Sequence, residues 1–158
     1  DQVEIGATLG VVIGAPARRV GVQQARAHIA GYAVAADLSL PHSSYYRPAI
    51  REKCFDGSFI LGAAVAANRT ADPASLVIRT LVNGRETDQF ALSGLVRGIP
   101  ELLRDVSEFM TLATGDILLV GVKWQAPTAS PGDQVAVACD ALGEIKFSIN
   151  SHFSAETS

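Results

Sequence analysis

Cysteine is scarce in this chain: Cys54 and Cys139 are the only two, far apart and without a CxxC neighbour. That excludes a disulfide framework and a cysteine zinc site, and it fits two free thiols in a reducing compartment. Histidine is nearly as sparse, and His28, His42 and His152 share no metal-ligand spacing. No apolar run approaches the roughly 20 residues that span a bilayer, and the amino terminus lacks the basic-then-apolar pattern of a signal peptide. Together these absences predict a cytoplasmic protein with no membrane partner. There is no surplus of basic charge either. Thirteen Lys and Arg stand against 16 Asp and Glu, for a net charge of −3. Phosphate backbones need the opposite balance, so nucleic acid is excluded as a partner. GxSxG, P-loop and GxGxxG signatures are all missing.

What remains is a chain of 158 residues, 48% apolar, enough for one domain with a real core. A single domain is expected over 1–153, with 154–158 as a tail. Leu9–Ile13 reads as a strand, Val22–Ala30 as a short helix stopped by Gly31, and Tyr32–Leu38 as a second strand. Residues 40–57 show no clean period and contain Pro41 and Pro48; a connection of that length is usually functional or disordered, and Tyr45, Tyr46, Ile50 and Phe55 argue against disorder. Asn83-Gly84 between Leu76–Val82 and Arg85–Phe90 is a hairpin signal, since both turn residues tolerate positive φ. Leu95, Val96, Ile99, Leu102, Leu103, Val106 and Met110 recur at helical spacing and predict a core-facing helix. Ser93 is its expected cap, unless Pro100 moves the start by taking a place in the first turn. Thr114-Gly115-Asp116 and Pro131-Gly132-Asp133 each launch a strand, Ile117–Val122 and Gln134–Cys139, and Glu144–Ile149 is the last. The fold class is α+β, dominated by antiparallel or mixed strands with two short helices, and without βαβ alternation.

The groups able to do chemistry gather around the long loop. Asp37 ends a strand of small apolar residues, where a carboxylate must find a backbone hydrogen bond or a cation. Arg47, Arg51 and Lys53, with Tyr45 and Tyr46 beside them, form a set that can receive a dicarboxylate, Arg as a fork and Lys as a point charge. A solvated basic loop explains the same residues. Of the histidines, His42 in this loop is the best candidate for a substrate contact.

Six motifs follow one another: LGVVIG, HIAGYAVAADLS, YYRPAIREKCFDG followed by LG, VNG, LRDVSEFMTLATGDILLVG, and PGDQVAVACDALGEI. In this order and spacing they resemble the catalytic domain of the fumarylacetoacetate hydrolase family, from about Gly6 to Ile149. SLPHSSYYRPAIREKCFDG is most similar to the 4-hydroxyphenylacetate (homoprotocatechuate) branch, whose enzyme joins two homologous repeats that decarboxylate and isomerise 2-oxo-hexenedioate-type intermediates. The chain resembles the amino-terminal repeat of such an enzyme, or a separate subunit equivalent to it.

The resemblance implies a mixed β-sheet roll or barrel, a small 2-oxo dicarboxylate substrate, and a homologous repeat, a second subunit or a homo-oligomer as partner. It also implies Mg²⁺ or Mn²⁺, held by a Glu-x-Glu pair before the VVIG strand and by an Asp closing the GYxVxND strand. The metal would chelate the 2-oxo carboxylate and stabilise an enolate. Asp37 falls on that Asp and Lys53 on the family's active-site lysine, while Tyr46, Arg47, Arg51 and His42 are the substrate-binding candidates. Gly6 and Thr8 fall on the two glutamates, Ala36 on the Asn, and Val120-Gly121-Val122 on a TGT signature. Glu4 is two residues from Gly6, about 6.5 Å along a strand. The part that supplies lid residues upstream of the metal strand is expected to be either absent from the protein or outside this stretch of sequence. A lone carboxylate leaves a dication largely uncompensated, so weak metal binding is expected, with the chain acting as a degenerate repeat. The alternatives are an active decarboxylase, isomerase or hydrolase with a site rearranged around Asp37, Lys53 and Asp56 or Glu52, and a binding module without turnover.

Overall fold

The computed structural model describes residues 2–151; His152 and the tail at 154–158 lie outside the described residues. Two long strands organise the fold: β1 (Val3–Ile13) and β2 (Ile29–Ser39) pair antiparallel along nearly their whole length. Alternation explains β1. Val3, Ile5, Leu9, Val11 and Ile13 point into the core and are almost completely buried. The strand therefore starts at Val3, well before Leu9, because its first half continues the same alternating row.

β3 (Phe59–Leu61) and β4 (Val65–Ala66) add to the outer edge of β2, and β7 (Ile117–Leu119) and β8 (Thr128–Ala129) add to β1. The second sheet has the order β10 (Gly143–Ser148), β9 (Gln134–Cys139), β5 (Val77–Val82), β6 (Arg85–Ala91). Every pairing among the described strands is antiparallel, one of the two arrangements the turn chemistry left open. The sheets share one core, in which Ile78, Val135 and Val137 of the second join the inward row of β1.

The punctuation residues do what their backbone chemistry allows. Asn83 and Gly84 take φ of 52° and 78° in the β5–β6 hairpin. The Asn83 side chain donates to Asp133 Oδ1 (2.8 Å) and accepts from the Gln134 N–H (2.9 Å), tying the turn to the start of β9. Asp116 and Asp133 repeat one device, each accepting a backbone N–H three residues back, from Ala113 (2.7 Å) and Ser130 (2.8 Å). The Ser130 N–H and then the Asn83 amide hold the Asp133 carboxyl below the ordinary carboxylate range.

Several expectations need correction. The helix over Val22–Ala30 contracts to a single 3-10 turn, Ala25–His28. The reason is tertiary: β1 needs a partner opposite Ile13, and Ile29 is taken into β2 to supply it. Gly31 therefore stops no helix. It sits in β2 opposite Ala66, where a Cβ would collide with the Val65 carbonyl. The long loop holds α1 (Ile50–Lys53), and β7 ends at Leu119 because the chain turns away at Gly121, φ 108°.

α2 (Ile99–Phe109) has Gly98 at its N-cap and Pro100 in its first turn, so Pro100 rather than Ser93 sets the start. Ile99, Leu103 and Ser107 form its buried face, while Val96, outside the helix, is 96% exposed and Met110 is half exposed. Ser107 Oγ accepts the Val20 N–H (3.0 Å) and bolts the helix to the segment after β1.

Candidate functional site

The face of β1 turned away from the core carries the row that the family resemblance picks out. Glu4, Gly6 and Thr8 alternate along the non-core face of β1, and the register sets Glu4 against Ser39 and Gly6 against Asp37. α1 is held beside this end of β2 by a hydrogen bond from the Leu40 N–H to the Glu52 carbonyl (2.9 Å). That brings Lys53 Nζ to 2.8 Å from Asp37 Oδ2, the closest charge partner of either group. Their side chains are 39% and 27% exposed, so the pair faces an opening rather than the core.

The opening is a cavity of about 550 Å³ lined by Glu4, Gly6, Asp37, Ser39, His42 and Lys53, with residues 122–126 closing the other side. Ser39 Oγ donates to Glu4 Oε2 (3.4 Å). His42 shares a hydrogen bond with the Arg47 carbonyl through Nε2 (2.7 Å), and its Nδ1 lies 3.8 Å from Glu52 Oε1. Lys123 reaches away to Asp88 and to the Gln89 carbonyl, the latter at 3.2 Å.

The two positions matched to metal-binding glutamates are both occupied by packing. A Cβ built on Gly6 would overlap the Asp37 carbonyl and lie 2.8 Å from Val122 Cγ1. One of these obstacles is backbone, so no change of rotamer makes room for a side chain there. Thr8 is completely buried, and its Oγ1 donates to the Gly121 carbonyl. It pins the same turn that presses Val122 onto Gly6. Among the described residues, no group of three or more His, Cys, Asp or Glu converges closely enough to hold a metal ion.

The structure thus gathers Asp37, Lys53 and His42 around one cavity and leaves Tyr46, Arg47 and Arg51 on the exposed loop outside its lining. Tyr46 is 91% exposed and stacks edge-on against Tyr45 at 5.3 Å. Asp56 lines a different cavity, with Leu38 and Phe147. Lys123 and Trp124 also line the cavity, and the sequence marks them only by their place just after the segment matched to TGT. A further, more apolar cavity of about 340 Å³ sits between Tyr32 and the start of α2, and burial pushes the Tyr32 phenol up.

The family pattern described as Fumarylacetoacetate (FAA) hydrolase C-terminal matches residues 1–150. The chain belongs to this family. It is similar to a 4-hydroxyphenylacetate degradation bifunctional isomerase/decarboxylase from Escherichia coli, 40% identical over 142 residues, which are 90% of this chain and 32% of that protein. The chain therefore spans about a third of the length of that curated relative. Among solved structures it is similar to a 5-carboxymethyl-2-hydroxymuconate delta-isomerase from Mycobacterium smegmatis, with TM-score 0.85 and 28% identity over 95% of this chain and 59% of that one. It is also similar to a maleylpyruvate hydrolase from Sphingobium sp. SYK-6 in complex with manganese(II) and pyruvate, with TM-score 0.85 and 25% identity over 94% of this chain and 55% of that one. The sheet-dominated fold with two helices is that of the family. No helix among the described residues is long and apolar enough to cross a membrane.

Proposed function

We propose that the chain is a repeat or subunit of a decarboxylase/isomerase acting on 2-oxo-hexenedioate-type intermediates of 4-hydroxyphenylacetate degradation, and that its own cation site is degenerate. The observation that carries this is Gly6, walled in by the Asp37 carbonyl and Val122 where a ligand side chain would have to start. Asp37, the one carboxylate left of the expected three, is already neutralised by Lys53 at 2.8 Å. Glu4 is tied to Ser39 two residues further along β1. Mg²⁺ and Mn²⁺ prefer six oxygen ligands, several of them charged, and these residues do not fit such an ion.

A degenerate repeat works beside an intact homologous one. The chain spans about a third of its bifunctional relative, which supports a repeat beside another. Two free thiols, Cys54 exposed and Cys139 buried, support a cytoplasmic setting.

Thermal unfolding with and without Mn²⁺ tests the reading, because an ion bound only by the folded state raises the midpoint. No shift is expected at sub-millimolar Mn²⁺, and the purified protein should carry no stoichiometric metal. A clear upward shift abolished by Asp37→Ala would sink the proposal and favour the second reading, a metal-dependent decarboxylase, isomerase or C–C hydrolase with a rearranged site. The surviving cavity around Asp37, Lys53 and His42 is what keeps that reading in view. Assay of the chain alone and mixed with an intact homologous repeat then separates subunit from enzyme.

A further inference from the structure

We infer that the cavity between Tyr32 and the start of α2 is a second ligand site, built for a small zwitterion: an α-amino acid with an apolar side chain. It is independent of the Asp37–Lys53 cavity and of the degenerate-site reading. The two cavities share no lining residue. Tyr32 and Asp37 stand on opposite faces of β2, roughly 17 Å apart along the strand.

Three observations point to that ligand. First, the cavity carries charges of both signs that do not meet. Arg26 and Glu101 both line it, yet no ion pair joins them, and neither has another ion-pair partner among the described residues. The Glu101 carboxylate is folded back over Gly98, where a Cβ would lie 2.6 Å from Oε2, so glycine there makes its room. Opposite charges held apart on one cavity are bridged by a ligand that carries both, its carboxylate on Arg26 and its ammonium on Glu101. A simple acid would meet Glu101 and also Asp72, which already accepts the Ala74 N–H at 3.1 Å. A simple amine would meet Arg26.

Second, Tyr32 holds a donor with nothing to receive it. The residue is 3% exposed, and its hydroxyl makes no hydrogen bond among the described residues. That hydroxyl is not one of the fully enclosed unpaired atoms, so the surface it keeps opens on this cavity. Burial raises the phenol above its ordinary value against the opposing charge of Arg26, and the group stays protonated. A ligand carboxylate accepts from the Tyr32 hydroxyl and the Arg26 guanidinium together. Third, the rest of the wall is apolar, with Ile29, Leu92, Leu95 and Ile99 to receive a side chain. A volume of about 340 Å³ is at the small end for a ligand pocket and suits one amino acid rather than a peptide.

Titration calorimetry of the intact chain with L-leucine tests this, beside 4-methylpentanoate and 3-methylbutylamine, which each lack one of its charges. Leucine should bind saturably, and each analogue about tenfold or more weaker, as loss of a charge-assisted hydrogen bond implies. Arg26→Gln should weaken leucine by about tenfold or more and leave 3-methylbutylamine no worse. Glu101→Gln should weaken leucine to a similar degree and leave 4-methylpentanoate no worse. Tyr32→Phe should cost several-fold, about what one neutral hydrogen bond contributes. Asp37→Asn, in the other cavity, should change leucine binding by less than about twofold. Either analogue binding as tightly as leucine overturns the inference. So does a loss of about tenfold in Asp37→Asn at an unchanged unfolding midpoint, or no saturable leucine binding up to about 10 mM. None of these failures touches the degenerate-site reading, which rests on the other cavity.

Discussion

The two faces of β1 share a backbone and obey different rules. Toward the core, Val3, Ile5, Leu9, Val11 and Ile13 need only be apolar and of suitable size, and their row continues into the second sheet through Ile78 and Val137. On the opposite face, Glu4, Gly6 and Thr8 each meet one particular neighbour: the Ser39 hydroxyl, the Asp37 carbonyl with Val122, and the Gly121 carbonyl. The core face is tolerant in identity and dominant in energy. The site face contributes less to stability, and a change of one residue there decides the chemistry.

Substitutions along the strand sharpen this contrast. Leu9→Ala, at a fully buried position, should cost about 2–5 kcal/mol in denaturant unfolding without altering the Asp37–Lys53 pair. A loss below about 1 kcal/mol would mean the core row is not the dominant one. On the other face, Gly6→Ala should cost about 1–3 kcal/mol, because the added methyl meets backbone as well as Val122. Gly6→Glu combined with Thr8→Glu should likewise destabilise and still show no Mn²⁺-dependent rise in melting temperature. A Mn²⁺ response in that double variant would show that the site face is as adaptable as the core. The smallest effect belongs to Thr8→Val, about 1 kcal/mol for the hydrogen bond to Gly121. Its amide exchange should quicken at 121–122 and stay unchanged in the second sheet.

Acid provides an independent check on the turn that starts β9. The Asp133 carboxyl titrates below its ordinary value in the folded chain, so its stabilising effect is present above the unfolded value, near about 4, and is lost as pH falls through the lower folded value. Asp133→Asn should flatten that part of the acid limb of a stability–pH profile.

Local chemistry was the legible part of the fold. Gln134–Cys139 stands where its alternation and the preceding Pro-Gly-Asp placed it, and the Asn83-Gly84 hairpin and Pro100 at the start of α2 follow from backbone preferences that need no distant partner. Val22–Ala30 was illegible for the opposite reason, since Ile29 is claimed by Ile13 across the sheet. At the site, Asp37 and Lys53 stand out by their chemistry and by matching motifs, yet their 2.8 Å contact depends on how α1 is hung from Leu40. Lys123 and Trp124 enter from a loop far along the chain, and no pattern near residue 37 announces them.

The sequence by itself determined the strand-rich class, the turns and the small residues Gly6 and Thr8 on the first strand, because alternation, positive φ and residue identity are local properties. Whether these two positions leave room for a larger side chain was decided by tertiary structure alone. Only the register of β2 on β1 brings the Asp37 carbonyl over Gly6, and only the turn at Gly121 brings Val122 against it.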